Sequence, residues 1–535
     1  MITDVIGFGR SMKDNKLAAE NKLLQGEKLS GQTWISATFL LISVSLISKV
    51  LGLLREILIA RNFGVGGEVD AYMVAITLPV LIGGVLGSSL GTSLIPLYQK
   101  TLCASGSDEG KNLIKSIISF TGIISGSLML AMYLIPETLI KIIAPSLPGT
   151  TTRLAVELLK WLSFLVIGNS LFNVLSSVYN ALHHFKIPAF TDLVSNLFVI
   201  FALIFFSSLW GIYALVMGLI VGVYFVVLVL TSNLLKLGII GFRMEFNTRE
   251  FKELINFAIP VLLYVFFPQL IGIIENFFAS SLKEGSVSAL GYAKRLSDAL
   301  STLLAVNIAK ATFPTFSLLS SQRKIAELRD LVVKLNSQIV VYFLPLSFAL
   351  VFFSKEIISF IFMRGAFDSA AVEMTSSVFI FYAAILCANM FVPTFFRLCY
   401  AFSDTTTPIK ASLIGIVFVL PLYYFLTGSF GIMGIAFTSC IWVLITLLIT
   451  GVSAGKKLRG LDMVGLGKTF VKSFLCASLA MLPFLGLESV NKFSIILTVP
   501  AYFLLYFILA WFVMNVEIRA AWKSFRRKEP KENIT

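Results

Sequence analysis

A few ionisable side chains stand in stretches that are otherwise apolar, and any chemistry this chain performs has to pass through them. Lys49, Arg55, Glu56 and Arg61 share one apolar run, Glu275 and Arg295 belong to neighbouring runs, and Arg397 precedes the polar Asp404 by about two helical turns. A charge at membrane depth costs about 2.5–3.5 kcal/mol on insertion scales, so each such residue marks either a cavity or an end from which it snorkels to water. Arg61, near the end of its run, fits snorkelling. Lys49 and Arg55 lie deeper, about 120° apart on an ideal helix, and a bend at Gly52 would let both face one cavity. The alternative has one cation in the headgroups and the other paired with Glu56. Glu275 and Arg295 face a cavity or neutralise each other; Arg397 faces a cavity or snorkels. Asp70 stands where a helix begins after a short connection, the ordinary place of an N-cap. Lys49, Arg55, Arg295 and Arg397 together would make a cationic lining. Its complement is an anion, and the guanidinium fork suits the paired oxygens of a diphosphate.

Other chemistries find little support. The sequence has no GxxxxGK[ST] loop, no HExxH and no aspartate-rich loop for a metal-dependent transferase, so no enzyme, cofactor or metal site is expected. His183 and His184 are the two histidines, and Cys103, Cys387, Cys399, Cys440 and Cys476 are scattered without a CxxC, which suits packing rather than ligation.

The elements that must position these charges follow from composition. Of 535 residues, 57% are hydrophobic and only 13% charged, with a mean hydropathy of +0.89. Too little polar surface is available to cover a protein of this size in water, so its solvent is lipid. Apolar runs long enough to cross about 30 Å as helices recur throughout, without the short alternating segments of a barrel. The prediction is an all-α integral membrane protein of about fourteen spans. Its net charge of +14 then reflects loops facing anionic headgroups rather than nucleic acid. Lys and Arg gather in alternate connections, among them 236–252, 323–334 and 456–459, and in the tail after residue 522. The opposite connections, such as Ser207–Trp210 and Thr427–Phe430, are short and nearly uncharged. Both termini are therefore expected on the cytoplasmic side of the membrane.

Three features recur at one displacement. Asn180–Pro188 matches Tyr400–Pro408, Trp210–Ala214 matches Phe430–Gly434, and Ala71-Tyr72 matches Gly291-Tyr292, each shifted by 220 residues. Two six-helix lobes, 33–233 and 251–453, follow as a parallel repeat joined by a cytoplasmic linker at 234–250. A polar cytoplasmic extension at 1–32, two appended helices at 465–517 and a basic cytoplasmic tail at 518–535 complete the expected organisation. Two lobes enclosing a cavity are the usual frame of alternating access, so transport is the leading class. A membrane glycan polymerase or transferase is the non-transport alternative.

Ser48–Gly64 followed by Val69–Ala75, together with Phe185–Phe190 and Gly285–Leu296, resembles the signatures of the MurJ (MviN) family, within the multidrug/oligosaccharidyl-lipid/polysaccharide exporter superfamily. The resemblance runs from residue 33 to the end. It implies fourteen helices in two lobes and a flippase for lipid II, the polyprenyl-diphosphate-linked precursor of peptidoglycan, in the bacterial inner membrane, with a monomer sufficing. It also implies roles for Lys49 (usually Arg in the family), Arg55, Asp70 and Arg295. The arginine pair that the family carries in its second helix is Gly83-Gly84 here, within a small-residue stretch reaching Ser93. A flippase for another lipid-linked oligosaccharide, such as an exopolysaccharide or O-antigen unit, is the alternative inside the same fold. A cation-coupled drug exporter would want acidic cavity residues, for which Glu275 is the main candidate.

Overall fold

With no water to satisfy them, peptide groups in lipid must bond within their own segment, and an apolar run of this length becomes a helix. The computed structural model describes residues 31–182, 184, 186–236, 238–239, 241–301, 307–485 and 495–513, and among these it is helical without strands. In chain order the α-helices are α1 Gly31–Phe63, α2 Gly67–Ser105, α3 Ser107–Leu134, α4 Pro136–Ile143, α5 Gly149–Leu162, α6 Leu165–Ala181, α7 Lys186–Trp210, α8 Ile212–Lys236, α9 Arg249–Ala279 and α10 Ser286–Ser301. They continue as α11 Asn307–Ser321, α12 Ile325–Phe352, α13 Ser354–Phe362, α14 Ser369–Ala384, α15 Leu386–Ala401, α16 Thr406–Phe430, α17 Ile432–Lys457, α18 Met463–Met481 and α19 Ile495–Val513. Ten described helices are long and apolar enough to cross a membrane, or twelve when the bent pairs α5–α6 and α14–α15 each count once. The polar extension, except Gly31 and Gln32, and the basic tail fall outside the described residues.

The helix order repeats. The bounds of α7 and α16 are 186–210 and 406–430, displaced by 220 at both ends, and α8 and α17 begin at 212 and 432. The same displacement, within a few residues, relates α3 through α6 to α12 through α15. The expected short loops at Ser207–Trp210 and Thr427–Phe430 are instead the last turns of α7 and α16. Each connection is reduced to one glycine, Gly211 (φ 53°) or Gly431 (φ 57°), because a left-handed residue turns the chain at once and only glycine adopts it freely. The pairs α5–α6 and α14–α15 are bent at their breaks, by 41° and 47°. The short helices α4 and α13 lie in the connections that follow α3 and α12.

The chain divides into two compact units. The described residues within 1–59, 71–143 and 148–270 form the first, and those within 60–70, 144–147 and 271–535 form the second. In the first, Leu94, Ile114, Ile117, Val174, Val178, Leu230 and Leu254 form the centre of a buried cluster. The glycines of α2 stand at helical spacing against α6. A β-carbon at Gly83 would lie 2.9 Å from that of Asn169, at Gly87 2.6 Å from the Ser170 carbonyl, and at Gly91 2.3 Å from Ser177 Oγ. Close backbone approach of this kind is how helices associate in lipid, where apolar burial alone offers no gain. The small-residue stretch is thus a packing seam, except that Gly84 has open space.

In the second unit, α18 and α19 pack on α12. Pro345 inside α12 has no N–H for the carbonyl of Val341 one turn earlier. Tyr506 of α19 donates to that carbonyl at 2.8 Å, while Ser473 of α18 bonds the same hydroxyl at 2.8 Å. Exposed Leu209, Leu497 and Phe512, all more than 70% accessible, are the lipid-facing side of the same physics.

Candidate functional site: charge clusters within the membrane spans

Arg55 projects from α1 into the first unit, where its guanidinium donates from Nη1 to Asn196 Oδ1 of α7 at 3.0 Å and from Nη2 to Glu56 Oε1 at 2.8 Å. Asn196 in turn reaches the Ser48 carbonyl at 3.4 Å. Glu56 is buried whereas the Arg55 side chain keeps 28% of its surface accessible, so the pair fixes the fork without sealing it off. Gly52 lies against Asn196, with room for its amide. Lys49 is half-buried and has no ion pair among the described residues. Arg55 therefore pairs with Glu56.

A second cluster forms around Glu275 of α9, which is 2% accessible. Its carboxylate accepts from Lys294 Nζ of α10, from Ser439 Oγ of α17 at 2.6 Å and from Tyr382 OH of α14 at 3.2 Å. Ser439 has one proton, so with that proton on the carboxylate it accepts from Tyr423 OH, 2.8 Å away. Three helices thus converge on one carboxylate, and its lone pairs are satisfied as burial requires. Lys294, not Arg295, is the ion-pair partner of Glu275. One turn further along α10, Asp298 has Lys294, Arg295 and Glu275 as its electrostatic neighbours. Two cations and two carboxylates therefore offset one another here, and Arg295 acts within a formally neutral group.

Arg397 of α15 is half-buried, with its guanidinium carbon 5.4 Å from the ring centre of Phe313 on α11. A cation on an aromatic face is held without losing its charge. Toward the end of the same helix the chain turns at Asp404, which accepts from the amides and hydroxyls of Thr406 and Thr407 and from Lys457 Nζ at 2.6 Å. Partial burial alone would raise the Asp404 carboxyl, but Lys457 and the threonines outweigh it and hold it well below the usual carboxylate range.

Asp70 caps a helix, though not its own. Its oxygens accept from the amides of Gly285 and Ser288, both at 2.7 Å, at the N-terminus of α10. Glu284 returns the arrangement by accepting from the Gly67 amide at the start of α2, at 2.7 Å. Tyr292 OH donates to the Gly64 carbonyl and the Ala366 amide to that of Arg61. The connection 60–70 is accordingly built into the second unit, which reassigns Asp70 from local cap to a distant one. Arg61 is exposed.

Sequence reading passed over Lys294, Asp298, Asn196, Ser439 and the two tyrosines. Lys294 carried a usable signal, standing beside Arg295 in an apolar run. Asn196 and Ser439 did not, since single polar residues are common inside helices.

The sequence profile of the family described as "Lipid II flippase MurJ" matches residues 59–504. A protein of Buchnera aphidicola named "Probable lipid II flippase MurJ" is 28% identical over 83% of this chain and 88% of its own length. Among solved structures, "Lipid II flippase MurJ, inward closed conformation" is similar with a TM-score of 0.79, at 23% identity, over 90% of this chain and 100% of that one. A multidrug resistance MATE family transporter of the MOP superfamily gives 0.66 at 13% identity, over 81% and 99%. These structures share the fold.

Proposed function

The chain belongs to the family of the lipid II flippase MurJ, and from that premise we propose that it carries lipid II, a polyprenyl-diphosphate-linked saccharide, across the bacterial inner membrane by alternating access. The observation that carries this reading is the extent of the family match, residues 59–504. The two six-helix lobes, 33–233 and 251–453, are the moving parts, helices 465–517 are appended to them, and a monomer suffices. Loops rich in Lys and Arg support a cytoplasmic location for both termini.

The chemistry required is passage of two phosphates through a low-dielectric interior. Arg55 is suited to this because its fork is already aimed by Glu56 and Asn196 yet remains partly accessible. A diphosphate engaging it gains charge-assisted bonds without first ordering the side chain. Lys49 and Arg397 supply further positive charge, each without a carboxylate partner among the described residues. Arg295 is a weaker participant, because Asp298 and Glu275 already offset its charge and that of Lys294. Glu275 joins α9, α10, α14 and α17 through the bonds its carboxylate accepts. Asp70 fixes the connection that begins the second helix.

Replacing the native flippase by this chain in a conditional depletion strain, while following lipid II on the outer leaflet, tests the reading. Restored growth and exposure are expected, with Arg55→Ala abolishing both at unchanged membrane abundance. Failure with stable, inserted wild-type protein would overturn lipid II as substrate. The second reading, another polyprenyl-linked oligosaccharide in the same fold, rests on Gly83-Gly84 standing where the family carries two arginines.

A further inference from the structure

Away from the charges within the spans, three connections of the second unit meet around a hollow of about 740 Å³. They are the turns joining α11 to α12, α15 to α16 and α17 to α18. Arg323, Lys324, Arg329, Lys457 and Arg459 line it, against the single carboxylate of Glu327. Several of these cations are already committed. Lys457 is held by Asp404 at 2.6 Å and lies over the Phe402 ring, Lys324 pairs with Glu327 at 3.4 Å, and Arg329 leans toward Asp330 at 3.7 Å. Arg323 and Arg459 are exposed and make no ion pair among the described residues. Both also hold φ at 56°, a left-handed backbone uncommon outside glycine. Among the described residues Ser403 is the one other non-glycine with positive φ, and it lies in the third of the same connections. Leu458, Ile325 and Phe402 complete the lining with apolar surface.

Two unpaired guanidinium groups at the mouth of a hollow, backed by further cations and only one carboxylate, form a receptor for a polyanion with tetrahedral oxygens. We propose that this hollow is a second anion site, separate from the transport charges, that binds a phosphate-bearing group through Arg323 and Arg459. The phosphate has two sources at a membrane face: the headgroup of an anionic phospholipid, or a free phosphate compound from the aqueous side. The location at helix ends and the apolar floor suit either, and the chemistry of recognition is the same.

The test uses the full chain in a neutral detergent, titrated calorimetrically with dioctanoylphosphatidylglycerol and, separately, with pyrophosphate. The variant Arg323→Gly/Arg459→Gly removes both guanidinium groups at positions whose backbone glycine adopts freely, so lost folding does not mimic lost binding. The expected result is binding of at least one probe by the wild type and weakening by about tenfold or more in the double variant, which loses the charge-assisted hydrogen bonds of both guanidinium groups. Arg323→Lys/Arg459→Lys retains an intermediate affinity. A loss confined to the phospholipid identifies the headgroup as ligand, and a loss seen with pyrophosphate identifies a free phosphate. Equal binding by wild type and double glycine variant for both probes overturns the site. Arg55→Ala leaves the difference between them unchanged, which separates this result from the fate of the flippase reading.

Discussion

Glu275 is a buried carboxylate whose neighbours supply all that water would have supplied: an ammonium, a serine hydroxyl and a tyrosine hydroxyl. Removing one member of such a pair leaves an uncompensated charge in low dielectric, at a cost of about 3–5 kcal/mol, whereas removing both can be nearly neutral. Lys294→Met is therefore expected to reduce the thermal stability of the detergent-solubilised protein strongly. Lys294→Met combined with Glu275→Gln should recover most of that loss. Thermal unfolding of the three variants checks this, and a double variant as unstable as Lys294→Met alone would show that the two groups are not coupled. Arg55 differs in kind, because its partner Glu56 sits beside it on α1 and the bond orients the guanidinium as well as neutralising it. The two clusters thus ask different things of their charges: one is closed and joins helices, the other is open and presents a cation.

At the scale of elements, the seam between α2 and α6 is set by absent side chains. Gly87 faces the Ser170 carbonyl at a separation where a β-carbon would stand 2.6 Å away, whereas its near neighbour Gly84 faces open space. Gly87→Val should force the helices apart and cost about 1–3 kcal/mol by overpacking. Gly84→Ala should leave stability unchanged or raise it slightly, by favouring helix in a position that tolerates a β-carbon. Comparing membrane abundance and unfolding temperature of the two variants checks the seam; similar behaviour would mean that the stretch is not a packing interface. The same reasoning explains Gly83-Gly84 in structural terms. Gly83 cannot take a side chain without moving α6, whereas Gly84 has room for a β-carbon.

For the whole molecule, the proposed orientation makes a direct prediction. A fluorescent protein fused after Thr535 should fluoresce, and alkaline phosphatase fused at the same point should be inactive, because the first folds in the cytoplasm and the second only outside it. The reverse pattern would invert every loop, moving the Arg323–Arg459 hollow to the opposite face. The repeat also has a consequence at this scale. Helices related by 220 residues have diverged in their charges: Arg55 pairs locally with Glu56, while Glu275 at the end of the corresponding helix α9 joins three other helices. Each unit therefore offers its own environment to an anion, with an accessible guanidinium in the first and a neutralised group in the second.

Much of this was legible without coordinates because it depends on local or additive properties. Solvation by lipid follows from composition, helices follow from run length in a medium without water, and the 220-residue displacement is a property of the letters alone. The glycine connections at 211 and 431 fall just beyond the connections read at 207–210 and 427–430, because each helix continues up to the left-handed glycine that turns the chain. Partnerships were another matter. Arg295 was the evident match for Glu275, yet adjacent residues on a helix point about 100° apart, and packing turned Lys294 to the carboxylate instead. Asp70 carried the signature of a cap, but nothing local could say that the amides it satisfies belong to Gly285 and Ser288. Which charge meets which depends on how helices distant in sequence are rotated and seated against one another, and that is fixed only when their side chains interlock.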